Sequence, residues 1–215
     1  MSHARRRVLL LRHGQTTWNV QSRFQGQLDI DLDDVGRGQA ERAGELLARL
    51  RPDLLVSSDL RRARDTAGAL ARRTGLPVTY DERLRETFAG RWQGLTTTEM
   101  DERYAQARAS WSAGADVPAG VDGETRSEVG ARMSAALVEH AARLPGGGLL
   151  VAVTHGGAAS SGLHHMLGVP RASWPVLSGL GNCHWSLLRE HDDRRWVLEE
   201  HNAGSLPEEV VGDES

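Results

Sequence analysis

The chain has 215 residues, enough for one sizeable core, and its 39% hydrophobic and 26% charged residues are those of an ordinary globular protein. A formal net charge of −3 gives no general attraction to nucleic acid or to a membrane surface. A single cysteine, Cys183, excludes an intramolecular disulfide and fits a reducing cytoplasm.

All 26 basic residues are arginine, a bias read here as genome composition rather than as a phosphate-binding surface. Arg5, Arg6 and Arg7 precede an apolar run too short for a signal sequence, and no stretch has the length of a bilayer span.

Val8 to Leu11 is a short apolar run that breaks into Arg12-His13-Gly14 and then into polar turn residues. It reads as a fully buried strand that delivers Arg12 and His13 to its C-terminal edge, where open α/β sheets place their ligands. Ser22 to Gly26 is a polar loop. Asp33 or Asp34 caps a helix to about Leu50, with Val35, Ala43, Leu46, Leu47 and Leu50 on one face. Leu54 to Ser57 is a second strand and leads through Ser58-Asp59 into a capped helix carrying Arg61, Arg62 and Arg64. Gly75 and Pro77 end that helix, and Val78 to Tyr80 is a third strand.

Leu84 to Gly94 reads as a loop because of its two glycines, and Thr97 to Arg108 as a helix. Ser112 to Asp122, rich in Gly, Ala and Pro, reads as an exposed lid or cap loop. A long helix covers Glu124 to Arg143 and stops at Pro145-Gly146-Gly147-Gly148.

The opening device then recurs. Leu149 to Thr154 is a buried strand running into His155-Gly156-Gly157 and a helix to about Leu167, whose N-terminal N–H groups favour an anion. Two strands, Cys183 to Arg189 and Arg195 to Glu200, form a hairpin turning at Asp192-Asp193, and an acidic tail follows from Ala203. Strands alternating with helices argue for a single α/β domain over 1–215 with a mainly parallel central sheet. Residues 97–125 form its cap and 203–215 a frayed tail.

Three strand ends therefore share one edge, bringing Arg12-His13, Arg62 and His155-Gly156 together, with Glu86 within reach on a loop. Forked guanidinium donors suit a tetrahedral oxyanion and an imidazole is a competent nucleophile, so the set describes a phosphate pocket. Alternative readings are bland: His13 as a strand-end residue, Arg62 as a solvated helix residue, Glu86 as an ion-pair partner of Arg83 or Arg85. His164-His165 is not a metal site, because adjacent histidines cannot both chelate from one helix face. The tryptophans read as core or rim residues, with Trp92 or Trp111 the candidates to floor a leaving-group pocket.

The chain resembles the histidine phosphatase (phosphoglycerate mutase-like) superfamily. The resemblance lies in Leu11 to Thr16 with Asn19, Ser57 to Ala63 with Thr66-Ala67, Leu84-Arg85-Glu86 with Gly90, Trp92 and Gly94, and Thr154 to Gly157. These stand in that family's order over almost the whole chain. It implies a three-layer sandwich, with His13 as the nucleophile that forms a phosphohistidine. Arg12, Arg62 and His155 would clamp the phosphoryl oxygens, and Glu86 would serve as acid and then base. Asn19, Gln25 and the Gly156 N–H would be further donors. No metal and no cofactor are implied. The partner is a small phosphorylated metabolite, not nucleic acid and not a membrane, and family members often form homodimers through a sheet edge.

The cofactor-dependent mutases of the superfamily carry a longer insertion with a Tyr-Tyr and proline-rich stretch. This chain has only Ser110 to Thr125 there, which favours hydrolysis over a mutase. A non-catalytic phospho-ligand binder is the other alternative, and it would need a lost nucleophile or acid. Further similarity extends to the subfamily of phosphatases acting on glucosyl-3-phosphoglycerate. It lies in Gln25 to Asp29, Ser57 to Ala63, Leu84 to Thr87, Trp92 to Thr96, Trp174-Pro175 and Gly181-Asn182. A glycerate carboxylate would want a cation, and Arg23, Arg83 and Arg85 are the candidates by position.

Overall fold

The computed structural model describes residues 5–205 apart from 192 and 194. Strand β1 covers Arg7–Arg12, short helix α1 Thr17–Val20, helix α2 Asp34–Ala48, strand β2 Leu54–Ser57, helix α3 Arg61–Thr74 and strand β3 Val78–Tyr80. Then come helices α4, Thr97–Ser112, and α5, Arg126–Ala141, strand β4, Leu149–Thr154, helix α6, Gly156–Met166, and strands β5, Trp185–Glu190, and β6, Trp196–Ala203. The six strands form one sheet in the order β3-β2-β4-β1-β5-β6. The first four run parallel, while β5 is antiparallel to β1 and β6 to β5. The mainly parallel α/β sandwich expected from the sequence is therefore present, with an antiparallel hairpin completing one side.

The apolar runs of β1 and β4 are continuous because both faces of those strands are covered. Along β1, Leu9 and Leu11 pack with α2 and α3 through Ala43, Leu47, Ala63, Ala67 and Leu70. Val8 and Leu10 alternate to the other face and meet α5 and α6 through Val129, Met133, Leu137, Ala158 and Leu163. Each such fully buried leucine or valine contributes about 1.5–3 kcal/mol relative to exposure. This double burial fixes the register of β1 against β4, pairing Arg12 with Thr154 at the edge that carries the candidate residues.

Local boundaries follow from capping chemistry. Asp33 accepts from Gly36 N at 2.7 Å and starts α2, as expected. Thr16, Thr96 and Thr125 each form a reciprocal capping box, with Asn19, Glu99 and Glu128. The box at Thr16 explains α1, a helical turn where the sequence indicates only polar turn residues, and that at Thr125 sets the start of α5 at Arg126 rather than Glu124. The cap expected for α3 takes a different form. Leu60 stands at its N-cap without a side-chain bond, and Ser58 Oγ accepts from Leu60 N at 3.3 Å.

Two further expectations change. Val35, placed on the apolar face of α2, is exposed, whereas Ala40, Ala43, Gly44 and Leu47 are buried. The stretch 112–122 is not a free excursion, since Ala119 and Gly120 are buried. Gly120 O accepts from Arg91 N at 3.1 Å, and Glu124 N donates to Phe88 O at 2.8 Å. Ala119 belongs to a satellite cluster with Ala89, Trp92, Met100 and Trp111, so this stretch is seated on the loop that follows Glu86. The strand expected from Cys183 begins at Trp185, because Cys183 has φ +54 and its N–H turns toward Arg12 O at 3.1 Å. Asp192, half of the expected hairpin turn, and residues 206–215 of the expected acidic tail lie outside the described residues.

Candidate active site

Because β2, β4 and β1 are parallel neighbours, their C-terminal ends open on one edge. There a cavity of about 410 Å³ is lined by Arg12, His13, Asn19, Gln25, Arg62, Glu86 and Gly156, seven of the eight residues expected from the sequence. Its wall also includes Arg23, Phe24, Thr87, Trp111, Arg126, Ser160 and Leu180. Four arginines against one glutamate give the cavity a strongly positive balance, which suits an anion.

His13 is held from both sides of its backbone. Its N–H donates to Thr154 O at 3.0 Å, and its carbonyl accepts from Asn182 Nδ2 at 3.1 Å. The ring Nδ1 lies 2.6 Å from Gly14 O. A carbonyl can only accept, so Nδ1 carries the proton and Nε2 is the free base. Burial, with Arg62 and Arg12 nearby, lowers the His13 pKa well below that of an ordinary histidine, so the ring stays neutral near pH 7.

Arg62 is fully buried at the first turn of α3. Its NH1 donates to Leu28 O at 2.7 Å, its NH2 to Gly26 O at 2.8 Å and its Nε to His155 Nδ1 at 3.1 Å. Two of its five N–H groups remain for a ligand. Desolvation lowers its pKa to about 10, which still leaves it cationic at neutral pH. Arg61 and Arg64 are its exposed neighbours: Arg61 pairs with Asp29 at 3.2 Å, and Arg64 lies over Tyr80 at 4.8 Å. Arg12 donates to Leu180 O at 2.6 Å, while its buried Nε has no partner among the described residues. An unmet buried donor of this kind costs about 1–3 kcal/mol, a cost that a bound oxyanion would remove.

His155 is the exception among the expected residues. It is fully buried but does not line the cavity, lying behind His13 with ring centroids 5.1 Å apart. Arg62 Nε is always a donor, so His155 Nδ1 accepts. The proton is then on Nε2, which donates to Ser58 Oγ at 2.8 Å. Both ring nitrogens are thus committed, and the ring braces Arg62 rather than facing the cavity.

Glu86 closes the site from the opposite side by capping α6. Its Oε1 accepts from Thr87 N and Ala158 N, each at 2.8 Å, and its Oε2 from Gly157 N at 3.0 Å. The helix whose N-cap, His155, makes no side-chain bond is therefore capped by a carboxylate from another segment. Oε2, with one donor against two, is the oxygen with lone-pair capacity to spare. Arg132 of α5 fixes the Glu86 loop by donating to Arg83 O and Arg85 O, each at 2.7 Å, and to Glu86 O at 3.0 Å. A Cβ at Gly157 would stand 2.7 Å from Glu86 Oε1. Gly157→Ala is therefore expected to fold, because a flexible side chain can yield, but to displace the carboxylate. Its kcat/KM should fall at least tenfold more for an alkyl phosphate than for p-nitrophenyl phosphate, whose leaving group needs no proton. Equal losses in the two assays would remove Glu86 from proton transfer.

The neutral donors are positioned by the same network. Asn19 Oδ1 accepts from Thr16 N at 3.0 Å and from Asn182 Nδ2 at 3.3 Å, which leaves its NH2 as the end for a ligand. Gln25 is buried, and its Oε1 has no partner among the described residues. The cations offered for a carboxylate divide. Arg23 lines the cavity but is engaged with Gly94 O and Glu99, and Arg83 and Arg85 are paired with Asp81 and Asp59 outside it. Trp111 lines the wall, and Trp92 lies fully buried behind it, ring edge to face at 5.8 Å. Arg126, which sequence reasoning missed, is stacked on Trp111 at 3.8 Å. The only signal for it was Thr125-x-x-Glu128, the capping box that makes Arg126 the first residue of α5. His164 is buried against Trp174 with rings stacked at 5.0 Å, and no group of three potential metal ligands occurs among the described residues. No helix among the described residues is long and apolar enough to cross a membrane.

Comparison with known proteins agrees with this geometry. The chain is 44% identical over 215 residues to a glucosyl-3-phosphoglycerate phosphatase of Mycobacterium tuberculosis, covering 93% of this chain and 96% of that protein. It is 36% identical over 193 residues to a probable phosphoglycerate mutase of Citrobacter koseri, covering 88% and 87%. The solved structure of the mycobacterial glucosyl-3-phosphoglycerate phosphatase in complex with VO3 superposes with a TM-score of 0.86 at 45% identity, covering 92% of this chain and 99% of that one. Residues 8–204 match the family described as histidine phosphatase superfamily (branch 1). With one buried neutral histidine at the end of β1, a second at the end of β4, and the family's sequence pattern running between them, this chain belongs to the histidine phosphatase superfamily.

Proposed function

We propose that the chain is a phosphomonoesterase that works through a phosphohistidine on a small phosphorylated metabolite, with glucosyl-3-phosphoglycerate as the preferred substrate. One observation carries the chemistry. The bond from His13 Nδ1 to Gly14 O leaves Nε2 as a free base in a cavity that also holds Arg12, Arg62 and Glu86. The substrate follows from the high identity to proteins named for that activity, set against lower identity to a probable mutase.

In this reading Nε2 of His13 attacks phosphorus. As the ester P–O bond breaks, the leaving oxygen takes a proton from Glu86 Oε2. Arg12, the two uncommitted N–H groups of Arg62, the Asn19 NH2 and the Gly156 N–H meet the charge on the other oxygens, which a preorganised site stabilises without reorganising. His155 acts through Arg62, whose Nε it holds. Ionised Glu86 then takes a proton from water, the water oxygen attacks phosphorus, and the P–N bond breaks to return neutral His13 and protonated Glu86. Residues 97–125 serve as the cap of a single domain. The family resemblance also supports a cytoplasmic homodimer, for which β3 and β6, the two edges of the sheet, are the strands available to pair.

The test is phosphate release by purified protein in EDTA, comparing glucosyl-3-phosphoglycerate, 3-phosphoglycerate, other phosphosugars and p-nitrophenyl phosphate. Glucosyl-3-phosphoglycerate is expected to lead in kcat/KM by roughly a hundredfold, with chelator without effect. Interconversion of 2- and 3-phosphoglycerate without phosphate release would replace the phosphatase with a mutase.

A further inference from the structure

The cavity is lined by arginines from separate elements. Arg12 and Arg62 act on His13, and Arg126 comes from the start of α5. Of the five N–H groups of Arg126, one is committed, from NH1 to Trp111 O at 2.9 Å. Its guanidinium carbon lies over the Trp111 indole, 3.8 Å from the ring centroid, which together with the bond to Trp111 O holds the group in place. No carboxylate stands within ion-pair distance of it among the described residues. Asp116, the acid whose charge acts on it, pairs instead with Arg171 at 3.5 Å.

This is a costly arrangement for a cation. Burial, together with the neighbouring charges of Arg171 and Arg108, opposes its protonated state and brings its pKa down to about 10. Arg126 is half-buried, and a cation partly removed from water is ordinarily paired. Arg23, which also lines the cavity, is already occupied by Gly94 O at 2.8 Å and Glu99 at 3.3 Å.

We infer that Arg126, held on Trp111, is a specificity-determining residue that binds a carboxylate on the leaving-group side of the substrate. A planar guanidinium with one edge anchored presents its remaining forked donors in the geometry that a planar carboxylate accepts. The inference rests on the phosphatase reading above and gives that reading its selectivity: phosphoryl group at His13, carboxylate at Arg126, with the cavity spanning the two. Phe24, Ser160 and Ser161 also line the cavity.

The experiment compares 3-phosphoglycerate with glycerol 3-phosphate, which replaces the carboxylate by a neutral hydroxymethyl group. In the unmodified protein the carboxylate substrate is expected to lead in kcat/KM by at least about thirtyfold, chiefly through KM. In Arg126→Met that ratio should fall to near one. In Arg126→Lys, which keeps the charge but not the fork, it should fall part of the way. Because the ratio is internal to each protein, a general loss of folded enzyme does not alter it. Equal use of the two compounds by the unmodified protein, or an unchanged ratio in Arg126→Met, would overturn the inference. The same ratio is read in parallel as Kd by calorimetry. If no phosphate is released at all, the phosphatase reading fails while the binding ratio still decides the role of Arg126.

Discussion

His13→Ala is expected to remove essentially all turnover, a loss of at least about 10⁴-fold in kcat, because the first covalent bond is formed by Nε2. The measurement is single-turnover hydrolysis of p-nitrophenyl phosphate, with trapping of phosphoenzyme after acid-free quenching. No phosphoenzyme should form in the variant, and retained turnover would remove His13 from the nucleophile role. The same geometry sets a pH dependence. Burial first, then Arg62 and Arg12, lower the His13 pKa. The nucleophile is therefore still unprotonated as pH falls through the ordinary histidine range, and the acid limb of kcat/KM should lie below pH 6.5. For stability the sign is the same. His13 and His155 both have native pKa values below their unfolded ones, so the unfolded chain binds more protons. Stability is fully present above about pH 6.5 and is lost as pH falls below it. Thermal midpoints across that range should drop toward acid, and less steeply in His13→Asn.

Arg62→Ala is the second large effect, on the order of 10²–10³ in kcat, comparable with removing a charge-stabilising donor elsewhere. It should also lower the thermal midpoint. Leu28 O, Gly26 O and His155 Nδ1 each lose a donor, and a buried acceptor left without one costs about 1–3 kcal/mol. Arg62→Lys should rescue little of either, because one ammonium cannot reach three acceptors spread around a planar fork and still donate to phosphate. Near-normal kcat in Arg62→Lys would show that positive charge alone suffices there.

The elements that carry this site were the most legible ones. β1 and β4 are apolar without interruption because helices cover both faces, and a strand of that kind announces its C-terminal end. His13 and His155 were therefore placed correctly on a shared edge. What the sequence could not supply was the direction of a ring. His155 sits where expected along the chain, yet its Nδ1 is taken by Arg62, a contact spanning 93 residues that no local pattern encodes. Arg126 was missed for the complementary reason. Its helix start depends on a capping box, and its platform, Trp111, comes from another helix. The stretch 112–122 has a loop's composition, but Gly120 O accepts from Arg91 N and the adjoining Glu124 N donates to Phe88 O, which anchors it to the loop around Gly90. Small residues served close backbone packing there rather than exposure.

The strand order carries a consequence for how the molecule is made. β1 and β2 are not neighbours; β4 lies between them and pairs with both. Until residues 149–154 exist, the first half of the chain holds β1 apart from the β2–β3 ladder, so the nucleophile and its arginine clamp have no common floor. Such long-range pairing makes for slow folding, since loop closure must precede the contacts that reward it. Recovery of activity after dilution from denaturant should thus track the slowest native-forming phase, and a nascent chain would acquire its catalytic edge only when its last parallel crossover, the one ending in β4, is complete.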